Sequence, residues 1–299
     1  MTPEKPENET RDGVIAGLIA YTLWGVLPIY FKATADVSPV ELLMHRVVWA
    51  VPFGALIIFL RRQWPEVWRA LTHRSMLMWL TTAAFFVAIN WYIYILAIQQ
   101  DQVFQASLGY YINPLLYVVA GVFVFGEKLR LGQISAVVLA TIGVLVLTFS
   151  GGQFPALALA IGSSFTVYGV IRKRVVIGGM PGLFVETIVL LPIAVVWLAW
   201  MARAGDVAFA SNAEVTGLLL LAGPVTVVPL LFFALAARRL PLSTVGFMQF
   251  LAPTMHFGIA VYYGEVLTTA HMICFACIWA AVILFSTDAW RQRTLIAAD

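Results

Sequence analysis

Glu41, His45 and Arg46 sit within one otherwise apolar stretch, PVELLMHRVVWAVPFGALIIFL, at residues 39–60. Ionisable groups in such a stretch are costly and face a partner or a polar cavity. Glu41 and His45 are four apart and share a helix face. Arg46 lies about 10 Å along the helix from Pro39. A guanidinium at that depth can draw a carboxylate, with His45 beside it. It can equally serve as a structural arginine, bonded to backbone carbonyls or snorkelling outward. Glu41, at the segment's edge, reads as interfacial. Glu186, near the start of a second apolar stretch, has two readings as well: it could hold a substrate ammonium or a coupling proton, or bond a neighbouring helix. Aromatic and amide groups gather in two further stretches, Asn90, Trp91, Tyr92 and Tyr94, then Tyr110, Tyr111 and Asn113. Trp24 and Gln249 fall at comparable depth. Rings with a few directed polar groups suit an amphipathic organic solute. Ordinary packing or an interfacial aromatic belt is the competing explanation, although buried amides such as Asn90 and Asn113 need partners.

The elements that carry these residues follow from composition. Hydrophobic residues make up 62% of the 299 positions and charged residues 11%, against about 25% charged in soluble chains. Mean hydropathy is +0.91. Lipid must cover the apolar surface that a fold of this size cannot hide. The expected class is an all-α polytopic membrane protein with ten transmembrane helices, near 13–32, 39–60, 75–97, 103–125, 131–149, 154–172, 181–202, 214–236, 242–263 and 268–287. The tails, 1–12 and 288–299, are short and polar. The acidic N-terminal stretch, with Glu4, Glu7, Glu9 and Asp12, lacks the basic region of a cleavable signal. Of the eighteen Lys and Arg residues, all but Lys32, Arg203 and the intramembrane Arg46 fall on one side of this arrangement. That side is the cytoplasmic one, and it holds both termini.

The chain divides into two similar halves, 13–150 and 154–287. Ser107 to Leu129 reads SLGYYINPLLYVVAGVFVFGEKL, and Thr244 to Leu267 reads TVGFMQFLAPTMHFGIAVYYGEVL. Each carries an early small residue and Gly, a mid-span proline (Pro114, Pro253) and a closing Gly-Glu (Gly126-Glu127, Gly264-Glu265). The second and seventh spans each open after Pro39 or Pro181 and carry an inner Pro52 or Pro192. Five spans per half is odd, so the second half enters the membrane from the opposite side. Inverted repeats of this kind are a recurring design of alternating-access carriers. Pro28, Pro114 and Pro253 interrupt spans and can act as hinges or static kinks. Gly17, Gly25, Gly162 and Ser163 allow close helix contact. Cys274 and Cys277, the only cysteines, lie in an apolar helix and read as small packing residues rather than a redox pair.

Several classes are excluded. There is no H-E-x-x-H, no phosphate-binding Walker loop and no Asp-rich cluster, so neither a metal site, a cofactor nor ATP drive is expected from this chain. The basic residues mark topology rather than a nucleic-acid surface. A membrane-embedded enzyme acting on lipid-linked substrates would need a gathered acid–base site near one interface. Glu41, Glu186, His45, His256 and His271 make none in sequence. The expected partners are a small-molecule substrate and the lipid bilayer, with the chain a monomer or a weak dimer.

The chain resembles the drug/metabolite transporter superfamily, EamA type, and most closely its RarD-like branch. The resemblance is carried by HRVVW (45–49), INWYIYI (89–95), SLGYYINPL (107–115), GEKL (126–129), VYGVIRKR (167–174) and FFALAARRLPLSTVGFMQFLAPT (232–254). It implies two inverted five-helix repeats around a central cavity, with secondary transport in the bacterial inner membrane. It also implies export of amino acids, drugs or toxic metabolites. One branch comprises aromatic amino-acid exporters of the YddG type, whose substrates would suit an aromatic-rich cavity. The chain departs from the RarD-like pattern at Leu96, where a Trp is expected, and at Ala50, where a Ser is expected. Either change can alter the cavity wall and with it the substrate. On this reading His45 and Arg46 meet a carboxylate, Trp24, Tyr94 and Tyr111 hold a side chain, and Asn90, Asn113 and Gln249 supply hydrogen bonds. Glu186 is the coupling candidate. Transport of drugs or other metabolites alone, or a membrane-embedded enzyme acting on lipid-linked substrates whose scattered acid–base residues are gathered by folding, are the alternatives.

Overall fold

The structure is a computed structural model that describes residues 7–126, 131–150, 152, 154–240, 244–245 and 248–296. Lys5, Glu127, Lys128, Arg130 and Gly246 lie outside the described residues. The described chain is helical throughout: α1 Glu7–Gly25, α2 Leu27–Ala33, α3 Pro39–Leu60, α4 Trp64–Thr72, α5 Arg74–Gln99, α6 Val103–Phe125, α7 Leu131–Phe149, α8 Ala156–Lys173, α9 Gly179–Ala204, α10 Ala213–Arg239, α11 Leu251–Tyr262 and α12 Thr269–Ile296. Among the described residues, eight helices are long and apolar enough to cross a membrane. The other two expected spans correspond to α8, which ends in Arg172 and Lys173, and to α11, whose approach includes residues outside those described.

Local chemistry sets the helix ends. Ser38 caps α3, its Oγ accepting from the Glu41 amide at 3.2 Å, with Pro39 in the first turn. Asn212 caps α10 in the same manner, accepting from Val215 N at 2.8 Å. Gly126 and Gly264, the glycines of the two Gly-Glu pairs, both take left-handed backbone, at φ 67° and 81°. Glycine bears that conformation without a Cβ penalty, so the repeated motif has a shared structural cause.

Two departures from the expected elements have physical reasons. The first span is broken between α1 and α2, because Pro28 stands in the first turn of α2 and cannot donate to the Trp24 carbonyl four residues back. Pro253 likewise lies in the first turn of α11, where it starts a helix instead of kinking one, whereas Pro114 does lie inside α6. The segment between the second and third spans forms the short helix α4, its Val67 and Ala70 buried and Trp68 turned outward.

The packing maps onto itself when the first five spans are exchanged with the last five. α1 packs on α10 as α8 packs on α5, and α6 on α8 as α11 on α1. α3 packs on α10 as α9 packs on α5, while α3–α9, α6–α11 and α7–α12 pair across the exchange. Phe59, Leu60, Phe85, Ile193, Val196 and Trp200 remain exposed on the bundle's outside, apolar surface that lipid covers.

One close approach fixes the site's geometry. A Cβ on Gly223 of α10 would lie 2.3 Å from the Trp49 carbonyl oxygen of α3. Glycine therefore lets the two helices touch, and it seats Thr226, one turn further on, beside Arg46.

Candidate functional site

Arg46 is buried among α2, α3, α5 and α10. Its Nε donates to Thr226 Oγ1 at 3.1 Å, and Thr226 in turn donates to the Ala222 carbonyl at 2.8 Å. The guanidinium carbon stands 4.6 Å from the Trp91 ring centroid and 5.3 Å from that of Phe31. Aromatic faces stabilise a cation where water is excluded. Tyr30, Tyr94 and Tyr110 are within its electrostatic reach. Its Nη1 is buried and has no hydrogen-bond partner, so two N–H donors of a desolvated cation are left unused.

Next to it, Tyr94 sits edge-on to Phe31 and Tyr110, at 5.7 and 5.5 Å between centroids, and its hydroxyl lies 3.1 Å from His256 Nε2. The same nitrogen is 3.1 Å from the Trp24 carbonyl oxygen, the carbonyl that Pro28 deprives of its helical donor. Tyr110 packs edge-on to Phe165 of α8. Its hydroxyl donates to Asn90 Oδ1 at 3.3 Å, and Asn90 donates to the Ile161 carbonyl at 2.8 Å and to Ser164 Oγ at 3.1 Å. The cluster draws on α1, α2, α3, α5, α6, α8, α10 and α11, and so on both halves of the chain. It combines a cation, phenols, an imidazole and aromatic walls, a set that can hold an amphipathic solute by its polar end and its ring.

Arg46, Tyr94, Asn90 and Trp24 lie together, with Asn90 tied to α8 and α6 and Trp24 contributing through its carbonyl. The other candidates lie elsewhere. His45 turns to a different face of α3, about 100° away. Its Nδ1 accepts from the Trp49 indole at 3.1 Å, its ring stacks on Phe209 at 5.0 Å, and its Nε2 is 3.8 Å from Glu41 Oε1. Glu41 is fully buried and accepts from the amides of Ala208 and Phe209 at 2.8 and 3.1 Å, anchoring the segment after α9. Tyr111 faces α11 and α12, bonded to Thr254 at 2.6 Å and stacked on Phe250. Asn113 accepts from Thr166 at 2.9 Å, and Gln249 lies half-buried in the turn before α11. Glu186 is paired: Arg172 Nε is 3.4 Å from Oε1, and Tyr168 donates to Oε2 at 3.2 Å.

Four cluster members, His256, Thr226, Phe165 and Phe31, were not singled out as site residues by sequence. A usable signal was present for one of them: Trp24 and Pro28 are four apart, which marks a carbonyl in need of a donor. At the end of the bundle where α2 and α5 finish, Lys32 pairs with Asp101 and lies over Tyr263. Glu265 there accepts from the Val103 and Phe104 amides at the start of α6. Burial raises its carboxyl above the usual carboxylate value, against the opposing pull of those amides and of Lys32. Cys274 and Cys277 pack against Gly143 of α7.

Comparison with known proteins gives consistent matches. Residues 11–149 match the EamA-like transporter family. The chain is 43% identical to an "Uncharacterized transporter" of Vibrio cholerae over 97% of its own length and 96% of the relative's. It is 41% identical to "Protein RarD" of Salmonella typhi, over 95% and 98%. A solved crystal structure shares the fold at a TM-score of 0.60 and 19% identity, covering 91% of this chain and 96% of that one.

Proposed function

The chain belongs to the EamA-like transporter family, in its RarD-like branch, and on that premise we propose that it is a secondary carrier exporting small carboxylated amphipathic metabolites, aromatic amino acids among them. Membership makes it a multi-pass membrane transporter. The substrate class and the outward direction are our reading. One observation supports it above the others: the buried Arg46 guanidinium, held from one side by Thr226, flanked by Trp91 and Phe31, with Nη1 left without a partner. A carboxylate satisfies that donor, and the surrounding rings accept an aromatic or aliphatic side chain. The two halves, reading as inverted repeats at 13–150 and 154–287, would rock about this point. The inner membrane, with both termini cytoplasmic, is the location that the Lys and Arg distribution supports.

Counterflow in proteoliposomes tests the reading. Vesicles loaded with unlabelled amino acids are followed for entry of labelled Trp, Phe, Thr, Lys and Glu. A saturable overshoot, strongest for the aromatic pair and lost in Arg46→Ala, is the expected result. No overshoot for any of the five, with folded protein, would redirect the search to uncharged drugs or other metabolites.

A further inference from the structure

His256 is the one imidazole in the central cluster, and its two nitrogens are placed differently. Nε2 is 3.1 Å from the Trp24 carbonyl oxygen. A carbonyl can only accept, so Nε2 carries the hydrogen, which points between that oxygen and the Tyr94 hydroxyl. The arrangement is imposed by the backbone, because Pro28 removes the N–H that would otherwise satisfy Trp24. With Nε2 protonated, the neutral ring presents a lone pair at Nδ1. That atom is buried and has no hydrogen-bond partner, on a side chain only 2% exposed.

We propose that His256 is the proton-binding residue of this carrier, its Nδ1 taking either a proton or an N–H of the substrate, never both. This rests on the central cluster being the substrate site. A substrate amine donating to the lone pair fills it. A proton arriving from water on the other side occupies the same lone pair, makes the ring a cation and removes the acceptor, which releases the amine. Mutually exclusive occupancy of one atom couples proton entry to substrate exit. The groups facing α11 leave this role to His256. Tyr94 of α5 and Tyr110 of α6 face the ring, α1 offers the Trp24 carbonyl, and Tyr111 is engaged with Thr254. Arg46 of α3 stands behind the tyrosines, and Lys32 of α2 is at the far end over Tyr263. No carboxylate faces the ring among the described residues. Glu186, the carboxylate suggested by sequence, already faces Arg172 and Tyr168.

The test uses the purified full-length protein in proteoliposomes with labelled tryptophan as probe, in counterflow at a series of pH values equal on both sides. Competition at one atom makes the apparent KM rise about tenfold per pH unit on the acid limb. His256→Gln keeps a donor for the Trp24 carbonyl but cannot take the proton. It should bind the probe more weakly, with an apparent KM that no longer changes with pH, and an inward proton gradient should drive efflux through the wild type alone. A wild type with a flat profile, or a variant that keeps the acid limb, overturns the proposal. If the wild type shows no saturable counterflow of tryptophan, the substrate reading fails instead. His256 is then judged by proton uptake in detergent between about pH 8 and about pH 3, a window wide enough for an imidazole that is 2% exposed. Uptake of one more proton by the wild type than by the variant upholds it, and equal uptake overturns it.

Discussion

Gly223→Ala should damage this protein, whereas Gly217→Ala, two turns earlier on the same helix, should stabilise it. At Gly223 a new Cβ would lie 2.3 Å from the Trp49 carbonyl oxygen and 2.6 Å from its carbon. Normal C···O contacts are about 3.3 Å, so α10 must retreat from α3 by about 1 Å. Overpacking of that kind costs about 1–3 kcal/mol. The retreat also lengthens the Arg46–Thr226 bond from 3.1 Å to about 4 Å, past the limit of a hydrogen bond. A bond to a charged group contributes about 1.5–3 kcal/mol, so tryptophan counterflow should weaken by at least about tenfold. At Gly217 a Cβ meets nothing within 4 Å, and removing a helical glycine gains about 0.5–1 kcal/mol. The two variants should therefore differ by about 1.5–4 kcal/mol, read as a gap of about 2–6 °C in thermal unfolding of detergent-solubilised protein. Equal melting temperatures, or full transport by Gly223→Ala, would refute the claim that this approach seats Thr226 against Arg46.

Arg172→Ala strands the buried Glu186 carboxylate and should cost about 3–5 kcal/mol, much of it recovered in the double variant Arg172→Ala/Glu186→Gln; no recovery in thermal unfolding would deny the pair a structural role. Glu41→Gln keeps the single oxygen, Oε1, that the amides of Ala208 and Phe209 share but removes its charge, so hydrogen exchange at those two amides should quicken by about tenfold, the difference between a charge-assisted and a neutral hydrogen bond. Unchanged protection there would mean that the segment after α9 is held by something else. Cys274, which is fully buried, should resist maleimide in the folded protein and react only on unfolding, as mass spectrometry of the labelled protein will show.

The sequence carried the fold further than the site because spans are read from length and charge, while sites depend on helix phase. The apolar run of α3 and its flanking arginines are visible in one dimension, and so are the prolines that recur in both halves. Tertiary packing is not. His45 and Arg46 are adjacent, hence about 100° apart around α3, and they face different neighbours: one meets Glu41, Trp49 and Phe209, the other Thr226 and Trp91. Tyr110 and Tyr111 divide in the same way, between Asn90 and Thr254. In each pair the residue types suggest a shared role and the helix separates them. Glu186 found its cation in Arg172, a residue that the sequence placed at the cytoplasmic end of the sixth span and whose long side chain reaches back into the bundle.

The prolines show how the two levels join. Four of the spans carry a proline well inside the helix, at Pro52, Pro114, Pro192 and the pair Pro224 and Pro229, and each removes one backbone donor. In lipid an orphaned carbonyl must find a partner within the protein. At Pro28 the partner is a histidine from the other half of the chain, so a backbone defect in the first span dictates the tautomer of a side chain in the ninth. Under the proposed rocking of the two halves, that bond has to break. Replacing Pro28 by Ala, which restores a competing N–H four residues after Trp24, should loosen His256 from Trp24 and raise the apparent KM for tryptophan by about fivefold, the equivalent of about 1 kcal/mol for one neutral hydrogen bond. Unchanged counterflow and an unchanged pH profile would show that the freed carbonyl has no part in holding the imidazole.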